Sequence, residues 1–371
     1  MGGRNSARRW AGAAAVSAAT VIAACSSSAE ADSPAAELAS TVSTATTSAP
    51  TRAPMTAALG RFPPYPQGVV SESVAATLQA ALDDALQDGS VRGATAAVII
   101  VDTGSWSGAV GVDRQGSPLS ADSQLLTASV GKTVTAAQIL RLVDEGRLRL
   151  DERAADHFPP ELSSFAANDA SIQDLLGMRS GLLDPGGYVA LVDQGGTTAD
   201  LVELIPRPTS PAGSTTQYAS VNYLLLGEII EEVTGRQLAD AVGAGVLNRP
   251  GLEGLEYGVK DAMAADGWNI EADPLTLARW GYELYGGFVV SDAALREMTD
   301  FAGEFYGLGT IDFSDDYGVP GALGHGGLEE SHAVRLVAFP NSGTIVAVQA
   351  NADGLDNIGR LVDALRNAAE S

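Results

Sequence analysis

Apolar strands come in two pairs at opposite ends of the globular sequence, and most of what lies between them is helical. Ala94–Asp102 and Trp106–Val112 read as strands joined by Thr103-Gly104-Ser105; His332–Phe339 and Thr344–Gln349 form a second pair around Asn341-Ser342-Gly343. A helix lies outside each pair. Residues 71–88 carry Leu78, Leu82, Ala85 and Leu86 on one stripe, and residues 355–369 carry Ile358, Leu361, Val362 and Leu365. This arrangement predicts an α/β (α+β) fold: one antiparallel sheet covered by the first and last helices, with the intervening helices forming an inserted second lobe. A cleft between the two parts is the natural place for a site. No internal repeat is visible.

The segment Ser129-Val130-Gly131-Lys132 falls where that cleft is expected. If a helix begins at Ser129, Lys132 lies one turn on and shares its face. A serine beside an amine that can accept its proton is a nucleophile for acyl substrates, and a helix N-terminus favours the developing alkoxide. The following residues, Val130, Val134, Ala136, Ala137, Ile139, Leu140, Leu142 and Val143, are apolar almost all round up to Gly146. Desolvation at the start of so buried a helix should lower the lysine pKa and make it a usable base. Two other readings fit these four residues. Val130-Gly131-Lys132-Thr133 matches the second half of a phosphate-binding loop, but that loop needs a glycine where Leu126 stands. A plain helix start with an exposed lysine is the third.

The N-terminus points to export. Arg4, Arg8 and Arg9 precede an uncharged stretch, Trp10 to Ala24, too short to span a bilayer but suited to a signal peptide. It ends in Val21-Ile22-Ala23-Ala24-Cys25, which resembles a bacterial lipobox. Cys25 is the sole cysteine, so it can form no intramolecular disulfide and serves best as a lipidated anchor. The expected organisation is a lipoprotein signal peptide at 1–24, then lipidated Cys25 and a disordered Ala/Ser/Thr/Pro linker at 25–59. A globular domain at 60–371 follows, held at the outer face of the cell membrane. The formal charge of −24 argues against nucleic acid as a partner and against adsorption to anionic lipid. The membrane is expected to be met only through the anchor. Three scattered histidines and the absence of an H-E-x-x-H motif give no metal site, and no cofactor is expected.

Several further segments carry a resemblance. Leu142-Val-Asp-Glu-Gly-Arg-Leu-Arg-Leu-Asp151, Leu175-Leu-Gly-Met-Arg-Ser-Gly-Leu182, Tyr218-Ala-Ser-Val-Asn-Tyr-Leu-Leu-Leu-Gly-Glu-Ile-Ile-Glu-Glu-Val-Thr-Gly235 and Gly324-His-Gly-Gly327 follow Ser129–Lys132 in order. Together they resemble the serine β-lactamase and penicillin-binding-protein superfamily, in the branch of class C β-lactamases, D-alanyl-D-alanine carboxypeptidases and esterases. The resemblance spans residues 70 to 370 and displaces the phosphate-loop reading. It implies Ser129 as nucleophile, Lys132 and Tyr218 as its proton partners, and an oxyanion site at the backbone of Ser129 and Leu328, beyond Gly327. It also implies that Ser220 and His325 face the substrate, with His325 close to the serine hydroxyl.

Departures from the family pattern bear on substrate. Ser220 stands where an amide is usual and Gly326 where a hydroxyl is usual. His325, mostly neutral at pH 7, stands where many members carry a lysine. Leu328-Glu329-Glu330 adds two acids nearby. The expectation is therefore a cell-envelope serine hydrolase acting through an acyl-enzyme on a small-molecule or peptide ester or amide, including peptidoglycan-like D,D-peptides. The alternatives are a penicillin-binding protein that acylates with little turnover and a catalytically inactive scaffold lipoprotein.

Overall fold

The computed structural model describes residues 61–371 apart from 166–168, 188–189, 192–193, 209, 330 and 353. The signal peptide, Cys25, the linker and Glu330 thus lie outside the described residues.

In chain order the described elements begin with α1 (Glu72–Gln87), β1 (Gly93–Ile100), β2 (Gly104–Gly111) and β3 (Leu125–Leu126), followed by a 3-10 turn (Ala128–Gly131). Next come α2 (Lys132–Asp144), α3 (Ile172–Leu176), α4 (Thr198–Val202), α5 (Val221–Thr234), α6 (Leu238–Ala244), β4 (Glu256–Tyr257) and β5 (Ile270–Ala272). The chain closes with α7 (Pro274–Tyr285), α8 (Asp292–Met298), β6 (Ile311–Asp312), α9 (Ser314–Tyr317), β7 (Leu323–Glu329), β8 (His332–Phe339), β9 (Thr344–Asn351) and α10 (Leu355–Glu370).

The predicted strand pairs do meet. The main sheet runs β2-β1-β9-β8-β7-β6 and is antiparallel throughout, with Val98 opposite both Trp106 and Val346. Alternation along each strand divides the core in two. Ala96 and Val98 of β1, with Val337, Val346 and Val348, face Leu78 and Leu82 of α1 and Ile358, Leu361, Val362 and Leu365 of α10. Ala97 and Ile99, with Leu336, Ala338, Ile345 and Ala347, face α7 and the inserted helices. Because both faces are covered, the central strands are buried along nearly their whole length and read as apolar runs. Fully burying a single Leu or Ile side chain contributes about 1.5–3 kcal/mol.

Two features of the second lobe hold the site in place. Helix α2 is buried on every side from Lys132 to Leu140, and its threonines there are satisfied internally. Thr133 Oγ1 donates to the Val130 carbonyl and accepts from Trp280 Nε1, and Thr135 Oγ1 donates to the Ala265 carbonyl. A small second sheet, β3-β5-β4, is tied to the main one by Gln349 Nε2, which donates to the Leu125 carbonyl at 2.9 Å. It leads straight into the turn carrying Ser129, where Thr127 N donates to the Ile270 carbonyl.

Candidate active site

The helix expected to begin at Ser129 begins instead at Lys132, and Ser129 sits in the tight 3-10 turn before it. The reason is tertiary. Ala128 adopts φ +44°, a left-handed conformation uncommon for a residue with a side chain, and Gly267 packs against it at φ +100°. A Cβ on Gly267 would lie 1.9 Å from the Ala128 carbonyl oxygen, so only glycine permits this approach. The nucleophile's backbone is therefore clamped from below. β7 also comes close, though less so: a Cβ on Gly327 would lie 2.7 Å from Ser129 N.

Lys132 is fully buried. Its Nζ donates to Ser129 Oγ at 3.2 Å, to Ser220 Oγ at 3.3 Å and to the Asp266 carbonyl at 2.8 Å. The Tyr218 ring lies 5.3 Å from Nζ and the Tyr223 ring 5.7 Å. Ser129, Tyr218 and Ser220 keep partial exposure and can meet a substrate. The fold thus brings Ser129, Lys132, Tyr218, Ser220 and Gly327 together from three segments: the turn leading into α2, the stretch before α5, and β7. Leu328 follows Gly327 on β7, but its side chain packs with the core on the α1/α10 side of the sheet. Only its backbone is available to an oxyanion.

The electrostatics depart from the sequence expectation at Lys132. Burial alone lowers its pKa, as anticipated. Tyr218 and Asp266 outweigh that, with Asp184 adding to them, and the net displacement is upward from the ordinary lysine value. The resting side chain is an ammonium. Asp184 and Asp266 were not among the residues singled out from the sequence. Asp184 accepts from Ser220 N at 3.0 Å and Val221 N at 2.9 Å, capping the start of α5. Its burial raises its own pKa above the usual carboxylate value.

His325 also departs from expectation. It is fully buried, with no surface open to a substrate. Its Nδ1 is 2.6 Å from the Gly326 carbonyl, which can only accept, so Nδ1 carries the proton and Nε2 accepts from Tyr306 Oη at 3.1 Å. Tyr306 packs edge-on against Tyr218, with ring centroids 5.8 Å apart. Burial first, then the Lys132 charge, drives the His325 pKa down to about 3, so it is neutral at any physiological pH. His325 therefore adds no positive charge beside Lys132. His157 binds Glu152, and His332 donates to the Leu126 carbonyl; both are structural.

The motif segments meet around α5. Asn222 Oδ1 accepts from Ser180 Oγ, and its amide donates to Met178 Sδ and the Ala219 carbonyl. Tyr223 Oη donates to the Leu176 carbonyl. Residues 175–182 thereby form the floor on which Tyr218 and Ser220 stand.

Comparison with known proteins fits this geometry. A family model described as beta-lactamase matches residues 78–369. Penicillin-binding protein 4 of Amycolatopsis lactamdurans is 36% identical over 166 residues, which cover 41% of this chain and 41% of that protein. Esterase EstB of Burkholderia gladioli is 34% identical over 203 residues, 48% of this chain and 50% of that protein. The chain therefore spans half or less of the length of these curated relatives. In fold it is similar to D-amino acid amidase from Ochrobactrum anthropi, with a TM-score of 0.66 at 18% identity, covering 80% of this chain and 98% of that one.

Proposed function

Because the chain belongs to the beta-lactamase family, we propose that it is a serine hydrolase whose acyl-enzyme forms on Ser129, and whose preferred acyl donors are esters or amides without a carboxylate. The observation that carries the substrate preference is the neutral, inward-turned His325. A β-lactam or D,D-peptide carboxylate needs a cation in the cleft. Here the cation next to Ser129 is Lys132, engaged by Ser220 and the Asp266 carbonyl and lying 4.0 Å from the Asp266 carboxylate. The relatives' names, a penicillin-binding protein and an esterase, support both an acylating site and a non-β-lactam substrate.

The chemistry runs from these contacts. Ser129 Oγ attacks the acyl carbonyl as Lys132, in its deprotonated form, takes the hydroxyl proton. The backbone N–H groups of Ser129 and Leu328 receive the oxyanion. Tyr218, over the ammonium, passes the proton to the departing alcohol or amine. Water then enters by the reverse relay and frees Ser129. The expected result is turnover of p-nitrophenyl butyrate that disappears in Ser129→Ala, with kcat/KM for a chromogenic cephalosporin at least ~100-fold lower, as expected for ~3 kcal/mol of lost recognition. Rapid cephalosporin hydrolysis would overturn the substrate reading. Stoichiometric acylation without turnover would favour the penicillin-binding alternative.

The same proposal places the domain outside the cytoplasmic membrane, tethered through lipidated Cys25 and a flexible linker. Lipobox-like residues Val21–Cys25 and the arginines before them support it. Metabolic labelling with palmitate should tag the full chain and not Cys25→Ala; equal labelling of both would remove the anchor.

A further inference from the structure

Lys132 is surrounded by more negative charge than a base one turn from its serine requires. Its Nζ lies 4.0 Å from Asp266 Oδ2, with the two side chains 0% and 7% exposed. The same aspartate supplies the carbonyl that accepts the shortest hydrogen bond from Nζ. Trp268 N donates to Asp266 Oδ1 at 3.0 Å and fixes the carboxylate facing inward. Every element around the ammonium contributes a group. Ser129 comes from the turn, Ser220 and Tyr218 from the segment before α5, Tyr223 from its first turn, Asp266 from the loop before β5, Asp184 from the loop after Ser180 and neutral His325 from β7. Among the described residues, Asp184 and Asp266 are the carboxylates that act on Lys132. A charge pair at this distance counts for little in water and for much in a buried site.

Geometry also limits what Lys132 can do while charged. An ammonium has three N–H donors, and three acceptors lie within reach: Ser129 Oγ, Ser220 Oγ and the Asp266 carbonyl. So bonded, Nζ has no lone pair for the proton of Ser129.

We propose that Asp266 is a positioning residue that keeps Lys132 an ammonium in the resting protein, so that Ser129 becomes nucleophilic only once this buried lysine has released a proton to solvent. The inference rests on reading Ser129 and Lys132 as nucleophile and base. After the proton leaves, the two remaining N–H groups stay on the Asp266 carbonyl and Ser220 Oγ, and the lone pair faces Ser129. The bond from Oγ to the acyl carbon then forms while Nζ takes the hydroxyl proton. The bond to the leaving group breaks, and that proton moves on to it. Asp266 thus stabilises the charge that the base acquires, and in exchange sets a higher pH for starting.

The test uses an alkyl fluorophosphonate, which phosphonylates Ser129 with loss of fluoride and needs no knowledge of the substrate. Its second-order labelling rate is followed against pH, together with the thermal midpoint, for the parent and for Asp266→Asn. The substitution retains an acceptor for Trp268 N. A neighbouring carboxylate favours the ammonium, so removing it lets the proton leave at lower pH. The rising limb of the profile should therefore move down by about 1 pH unit or more. A limb that stays in place while the midpoint falls would make Asp266 merely structural and overturn the proposal. If Asp266→Asn does not fold, Asp184→Asn should move the limb in the same direction by less, and an unmoved limb there overturns it equally. A parent that is unlabelled at every pH would instead overturn the nucleophile reading itself.

Discussion

Replacing Lys132 by methionine is expected to slow acylation of Ser129 by about 10²–10⁴-fold, the range a positioned general base contributes. Methionine keeps most of the volume but removes all three N–H donors and the charge. The Asp266 carbonyl loses its 2.8 Å partner, and the Asp266 and Asp184 carboxylates lose their buried counterion. Breaking a buried ion pair from one side costs about 3–5 kcal/mol, so the variant should also unfold at lower temperature. The two effects are separable, because labelling is measured on folded protein below its midpoint. A variant that is less stable yet acylates at the parent rate would show that Lys132 holds the fold and does no proton transfer.

The second large effect is expected at a glycine that has no side chain and takes no part in the chemistry. Gly267→Ala places a Cβ 1.9 Å from the Ala128 carbonyl oxygen at φ +100°. Backbone cannot yield there as a flexible side chain would. The turn must move, or the protein must bear strain of about 3 kcal/mol or more. Either outcome displaces Ser129 from the oxyanion site, and an ångström of misplacement is enough to cost about 10²-fold in rate. Gly146→Ala is the matched control: Gly146 has φ +69° but nothing within 4 Å of its missing Cβ. It should cost about 1 kcal/mol and leave labelling unchanged. If the Gly267 variant labels as fast as the Gly146 one, the clamp beneath the nucleophile does not position it.

The architecture was largely written in local patterns. Apolar runs and stripe spacing foretold β1, β2, β8, β9 and the terminal helices to within a few residues, because those elements are decided by which faces they cover. Ser129 and Lys132 were visible because one helix turn separates them, a distance that sequence spacing encodes; Tyr218 and Ser220, far along the chain, were legible only through the family resemblance. What escaped detection depends on long-range packing. The 3-10 turn at Ala128–Gly131 exists because a glycine far along the chain presses against it. Asp266 and Asp184 reach Lys132 from loops with no spacing relation to it, so the local burial argument for a lowered lysine pKa missed the charges that reverse it. His325 could be placed on a strand, but the direction of its ring depends on Tyr306, whose hydroxyl engages its Nε2 inside the core. Gly326 and Ser220 mark the altered cleft in sequence; the inward turn of His325 is what gives that alteration its electrostatic meaning.

The central claim is that Ser129 carries the acyl group, and intact-mass spectrometry with peptide mapping tests it most directly. After exposure to an alkyl fluorophosphonate, the protein should gain one phosphonyl group, located on the peptide containing Ser129 and absent from folded Ser129→Ala. An adduct on another residue, or equal labelling of Ser129→Ala, would contradict the account.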